Sequence, residues 1–171
     1  PFVSNEPLIG EMRLQFWADV IADMVAGKPP RAHEVAGPLA ELVQSAELPC
    51  DVLARMVQAR RFDVFKEAHE TQEALVDYIA ETAGNLMWMA ALALGASEQC
   101  EAVVRQFALG CGIAALLQAN RKLTDLGRLP LVDSSPAGIS GLAQQGLQEI
   151  RLARRQRRVI PAQSCAALLA G

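Results

Sequence analysis

Hydrophobic residues recur at three- and four-residue intervals along most of the chain, which is the spacing of amphipathic helices. The first such stretch runs from Leu8 to Met24, and Gly27 with the prolines that follow it ends the pattern. A later stretch has Gly84 in its interior, where we expect a kink. The pattern predicts helices at about 6–26, 34–46, 50–66, 70–94, 98–119 and 137–158, and therefore an all-α fold.

Composition supports one soluble globular domain. Of the 171 residues, 51% are hydrophobic, 20% are charged and 5% are aromatic. We therefore expect a single domain over residues 1–171, and because the chain starts at Pro1 without methionine, we expect that an N-terminal segment is missing. No run of consecutive apolar residues approaches the ~18 that a membrane-spanning helix needs. These observations predict a cytoplasmic protein that can contact a membrane only at its periphery.

Charge is distributed unevenly along the chain. There are 16 lysines and arginines against 19 aspartates and glutamates, a net charge of −3 at pH 7, which argues against a nucleic-acid-binding protein. Five arginines lie within residues 151–158, and no acidic residue follows Glu149. They predict a surface for anionic lipid or an acidic partner protein, with a favourable helix C-terminus as the alternative. The residues are Arg151, Arg154, Arg155, Arg157 and Arg158.

Candidate metal ligands are sparse. Asp19 and Asp23 stand four residues apart on a predicted helix, a spacing at which two carboxylates can share Mg²⁺, although such pairs are also common on solvated faces. We favour the solvated face. The four cysteines show no CxxC spacing, and His33 and His69 are far apart in sequence, so the residues give no metal site and no catalytic triad.

Small residues cluster between Gly110 and Ala115. The spacing Gly110-x-Gly112-x-x-Ala115 matches the dinucleotide-binding pattern, but the residues before it form a helical pattern rather than a strand. We therefore expect a close contact between two helices at this position.

Five segments, in order over residues 6 to about 132, resemble the squalene/phytoene synthase family. The first contains Glu6-Pro7 and the Glu-Met-Arg-Leu-Gln-Phe-Trp run at 11–17, and the second is a Gly-x-Pro turn with His33 after it. The others are Ala-Arg-Arg-Phe-Asp at 59–63, Tyr-Ile-Ala-Glu-Thr-Ala-Gly at 78–84 and Gly-Arg-Leu-Pro-Leu at 127–131. The resemblance implies a terpenoid-synthase-like helical bundle.

The same resemblance implies a reaction, and it indicates which positions of the metal-binding motif differ in this chain. The family joins two prenyl diphosphates head to head, using two aspartate-rich helices that hold Mg²⁺. One motif would precede Pro1, and the other aligns with residues 112–123. Its conserved polar positions are filled here by Gly112, Ala115, Gln118, Ala119, Lys122 and Leu123. Because Mg²⁺ is bound by oxygen ligands, this replacement predicts loss of the metal and of the condensation.

We therefore expect a pseudoenzyme that binds an isoprenoid or lipid, or works with a protein partner, similar to a degenerate branch of the family that serves in respiratory complex I assembly. No catalytic residue and no cofactor is assigned. The alternative is a Mg²⁺-dependent prenyl transferase of isoprenoid biosynthesis, with an intact motif upstream of residue 1. A third possibility is an inert scaffold whose cavity is filled by side chains. By resemblance, the cavity would be lined by Tyr78, Thr82, Leu86, Gly112, Ala115, Gln118 and Ala119.

Overall fold

The computed structural model describes residues 6–65 and 67–165, and every regular element in these ranges is helical. This confirms the predicted all-α fold. The α-helices are α1 Pro7–Val25, α2 Ala36–Ser45, α3 Cys50–Arg60, α4 Phe62–Phe65, α5 Gln72–Ile79, α6 Asn85–Ala93, α7 Glu101–Asp125 and α8 Pro136–Arg155. A π-helical turn, Ala80–Gly84, and two 3₁₀ turns, Glu98–Cys100 and Arg157–Val159, complete the set.

Contacts between residues group the chain into two compact units, the first ending at Phe65 and the second comprising the residues after it. The expectation of a single domain stays a prediction. In the first unit, α1 packs against α3 and α4, and each of the three helices carries an almost fully buried valine: Val20, Val52 and Val64. Gly27 follows α1 with a φ of 66°, a left-handed conformation that glycine adopts without steric cost.

The second unit is built on the long helix α7. Helices α5 and α6 are joined without a loop by the π turn, which ends at Gly84, the residue where we expect a kink. Thr71 begins α5, its hydroxyl oxygen accepting a hydrogen bond from the Ala74 N–H at 3.2 Å. Buried apolar side chains of α6, α7 and α8 form one cluster around Trp88 and Val104, and a second cluster surrounds Leu75 and Ile113.

Helices α7 and α8 run antiparallel with almost no space between them. A Cβ atom on Gly110 would lie 2.5 Å from Ile150 Cγ1 and 2.6 Å from the Gly146 carbonyl oxygen. On Gly146 it would lie 2.9 Å from Ile113 Cγ2. The predicted close helix contact is therefore confirmed, because glycine is what lets these two backbones approach.

One segment departs from the expectation about membrane spans. Within the described residues, Glu98–Asp125 is one helical stretch of 28 residues, long and apolar enough to cross a membrane by length and composition alone. Charged and polar residues interrupt the apolar runs in this segment, so a search for consecutive apolar residues does not find it. An average of hydropathy over 18 residues does find it, because that criterion allows up to two charged side chains. Core helices of soluble proteins meet the same criterion, so the finding is weak evidence for a membrane span.

Candidate functional site

The aligned aspartate-rich motif lies entirely on α7. Ala115, Gln118 and Lys122 are exposed, whereas Gly112, Ala119 and Leu123 are half-buried. At 1.5 Å per residue the motif extends about 16 Å along the helix. At the six aligned positions, the polar side chains are the amide of Gln118 and the ammonium of Lys122, and none is a carboxylate.

Gly112 is a packing position against the π turn. A Cβ atom there would lie 2.5 Å from Ile79 Cγ2 and 3.0 Å from Ala83 Cβ, so α7 touches the π turn at this point. A side chain larger than hydrogen would have to displace Ile79, a β-branched residue with few alternative rotamers. The helix wall is closed at Gly112.

The three predicted cavity residues on the facing helix differ in exposure. Thr82 is 4% exposed and its hydroxyl donates to the Tyr78 carbonyl oxygen at 2.7 Å, which occupies its donor within the helix. Tyr78 is half-buried, with its ring 5.0 Å from that of His69. Leu86 is 59% exposed. The seven predicted lining residues thus divide into one buried, three half-buried and three exposed positions, and their role as a cavity lining stays a prediction.

A buried polar network beside the π turn was not found from the sequence. Asn85 is fully buried, and its amide nitrogen donates to the backbone and side-chain oxygens of Glu81, each at 2.9 Å. Arg105 of α7 donates to Asn85 Oδ1 at 2.6 Å and to Glu101 Oε1 at 2.7 Å. The available signal was an asparagine opening the otherwise apolar α6, since a buried amide requires hydrogen-bond partners.

The two aspartates considered for Mg²⁺ are engaged by cations within the first unit. Arg31 Nε lies 2.7 Å from Asp23 Oδ2, and Arg31 Nη1 lies 3.5 Å from Asp19 Oδ2. Lys28 Nζ lies 3.0 Å from Asp23 Oδ1. The hydrogen bond from Arg31, followed by that from Lys28, lowers the pKa of Asp23 below its usual value. The side chain of Asp19 is 42% exposed and that of Asp23 is 18% exposed, so both are ion-paired and only Asp19 lies on a largely solvated face.

The five arginines lie at the C-terminal end of α8 and in the 3₁₀ turn after it, and all are exposed. Within the described part of the chain, none of the five forms an ion pair. Arg154 is close enough to Cys111 to favour its thiolate, but burial of that thiol outweighs the guanidinium and raises the pKa of Cys111. The charge of these arginines is thus presented outward.

Comparison with known proteins identifies the family to which this helical chain belongs. The model of the squalene/phytoene synthase family matches residues 3–168. The chain belongs to the squalene/phytoene synthase family. The terpenoid-synthase-like helical fold of that family agrees with the predicted fold class. No solved structure matches the chain.

One relative of this synthase-family chain is a mouse protein described as NADH dehydrogenase (ubiquinone) complex I, assembly factor 6. The two are 30% identical over 94 residues, which are 55% of this chain and 28% of the mouse protein. The aligned part of the chain thus spans little more than a quarter of that relative's length.

The residues of this synthase-family chain do not fit the Mg²⁺ that the family implies. In the aligned motif, Ala119 and Leu123 carry no oxygen ligand, and Lys122 adds a positive charge that repels a cation. Among residues 6–65 and 67–165, no three histidine, cysteine, aspartate or glutamate side chains are grouped so that they could hold a metal ion.

Proposed function

We propose that this squalene/phytoene synthase family member is a non-catalytic module that assists the assembly of respiratory complex I. The observation that carries the proposal is the replacement of the aspartate-rich motif on α7 by side chains without carboxylates, with Gly112 packed against Ile79. The description of the mouse relative as a complex I assembly factor supports the assembly role.

The chemistry of the motif explains why condensation is not the proposed activity. Breaking an allylic carbon–oxygen bond places negative charge on the diphosphate, and enzymes of this kind offset that charge electrostatically. The aligned face of α7 supplies one cation, Lys122, and no anion to hold a bridging metal. A prenyl transferase would need its metal ligands from elsewhere, so this alternative depends on residues outside the aligned motif.

Calorimetric titration of the full-length protein with farnesyl diphosphate, with and without Mg²⁺, distinguishes the proposed non-catalytic module from a prenyl transferase. We expect no Mg²⁺-dependent binding and no release of inorganic pyrophosphate. Mg²⁺-dependent binding followed by pyrophosphate release would overturn the proposal in favour of the transferase. Binding that does not depend on Mg²⁺ would show that the protein has an isoprenoid or lipid ligand, as the sequence predicts. Such a result would be compatible with the non-catalytic role.

The assembly role is tested in the source organism by deleting the gene and measuring complex I on native gels stained for NADH oxidation. We expect loss of the assembled complex, unchanged levels of the other respiratory complexes, and rescue by the wild-type gene. Rescue by Lys122→Ala is also expected, because the proposal gives this motif position no chemical role. Normal complex I in the deletion strain would contradict the proposal. The cytoplasmic location stays a prediction, and fractionation of the same strain measures it.

A further inference from the structure

We propose that one end of the second unit, here called the basic end, docks on an anionic lipid bilayer. The basic end comprises the five exposed arginines and two exposed apolar side chains: Arg151, Arg154, Arg155, Arg157, Arg158, Leu94 and Val159. This proposal does not depend on the proposed assembly role, because it concerns the membrane to which the protein binds and not the complex that it helps to assemble.

The backbone holds these residues in one place. Arg151, Arg154 and Arg155 stand at three- and four-residue spacing on α8 and therefore share a face of the helix. The 3₁₀ turn that follows is fixed by the Cys100 thiol, which donates to the Val159 carbonyl oxygen at 3.2 Å, and by Ile160, which is 7% exposed. The positions of the charges are set by a packed core rather than by a loose tail.

A second hydrogen bond joins the end of α6 to the same region. The Ser164 hydroxyl donates to the Leu94 carbonyl oxygen at 2.9 Å, and Ser164 is fully buried. Leu94 is 40% exposed and Val159 is 51% exposed, so the end carries apolar side chains as well as cations. Basic and apolar groups together are the combination that binds the interface of an acidic membrane.

Three acidic residues stand near the five arginines in the described part of the fold. Glu98 lies in the turn that ends at Cys100, Glu101 is already bonded to Arg105 at 2.7 Å, and Glu149 precedes Arg151 on α8. The five arginines carry like charge within eight residues of the chain, and a layer of anionic lipid headgroups attracts each of them.

The balance of charged and apolar groups favours lipid over a protein partner. Protein interfaces are enriched in aromatic residues and methionine as well as arginine, whereas the basic end combines its five arginines with the aliphatic side chains of Leu94 and Val159. A bilayer offers a plane of anions with hydrocarbon beneath it, which suits both groups at once.

Flotation of the full chain with lipid vesicles tests the proposal. Vesicles contain phosphatidylcholine with about one third phosphatidylglycerol, or phosphatidylcholine alone, at about 0.1 M salt. We expect binding to the anionic vesicles only, reversed by salt. Because each cation near an acidic surface contributes about a 5-fold effect, Arg154→Gln/Arg155→Gln should lower the partition coefficient about 30-fold. Val159→Ser should lower it a further few-fold.

The matched control is Arg13→Gln/Arg121→Gln, which removes the same charge from two exposed arginines outside the basic end. We expect it to change partitioning less than about 2-fold. Circular dichroism melting of every variant establishes that it is folded. Equal loss in the control, equal binding to uncharged vesicles, or no flotation of the folded wild type would each overturn the proposal. Arginine-dependent binding to soluble polyglutamate without vesicle binding would overturn it in favour of an acidic protein.

Discussion

Substituting Gly112 with alanine measures how tightly α7 packs against the π turn. The added Cβ would lie 2.5 Å from Ile79 Cγ2 and 3.0 Å from Ala83 Cβ. Ordinary carbon–carbon contacts are about 3.5–4.0 Å, so the neighbours must retreat by roughly 1 Å. Overpacking of this kind costs about 1–3 kcal/mol.

The helical preference of alanine works in the opposite direction and must be subtracted. Alanine is favoured over glycine inside a helix by about 0.5–1 kcal/mol. Gly141, in α8, provides the matched control, because a Cβ there meets no atom within 4 Å. We expect Gly141→Ala to stabilise the protein by that amount and Gly112→Ala to fall about 1–3 kcal/mol below it.

Urea unfolding followed by tryptophan fluorescence supplies the free energies. Trp88 is 3% exposed in the core of the second unit, and a Trp17→Phe background removes the tryptophan of the first unit. Circular dichroism in the same samples checks that the transitions coincide. If Gly112→Ala proves as stabilising as Gly141→Ala, the close contact at Gly112 is refuted. That result would favour the alternative, in which Gly112 lines an open cavity.

Three further outcomes are expected. Arg105→Met should destabilise the protein by about 1–3 kcal/mol in urea unfolding, because it leaves the buried Asn85 Oδ1 without its donor; a cost within error would exclude that role. The hydrogen bonds from Arg31 and Lys28 lower the pKa of Asp23, so the stability that it contributes is present above about pH 4, the range of an unfolded aspartate, and is lost as the pH falls through the lowered pKa. NMR titration should show Arg31→Gln raising that pKa, and an unchanged value would contradict the ion pair. Burial raises the pKa of Cys111, so its alkylation at pH 8 should be slower than that of a free thiol in a peptide, a difference that denaturant should abolish.

Helix boundaries were predictable where the chain carries explicit start and stop signals. For α1, the predicted 6–26 and the observed Pro7–Val25 agree within one residue, because proline begins the helix and Gly27 ends it. For α7 the predicted end at 119 is wrong by six residues, since Asp125 is the last helical residue. The apolar pattern stops where the helix becomes exposed, whereas Gly127, with a φ of 73°, marks its physical end.

The candidate site was less accessible to sequence reasoning. Resemblance located the replaced motif on α7, because alignment needs only order and spacing. It could not give the exposure of Ala115 or Gln118, which depends on what packs over them. The bond between Asn85 and Arg105 joins residues 20 positions apart on different helices, so no local pattern announces it.

The π turn at Ala80–Gly84 has a consequence for the phase of the helix beyond it. A π turn holds one residue more than an α turn, and one extra residue rotates every later side chain by about 100° about the helix axis. The three-and-four rhythm that places Leu75 and Ile79 inward would, uninterrupted, place Leu86 inward as well. The rotation instead offsets Leu86 from that inward direction, and Leu86 is 59% exposed while the next residue, Met87, is 8% exposed. A single added residue thus sets which side chain of α6 is presented to solvent, and deleting one residue from the turn would carry Leu86 to the buried place of Asn85 and Met87 to the exposed place of Leu86.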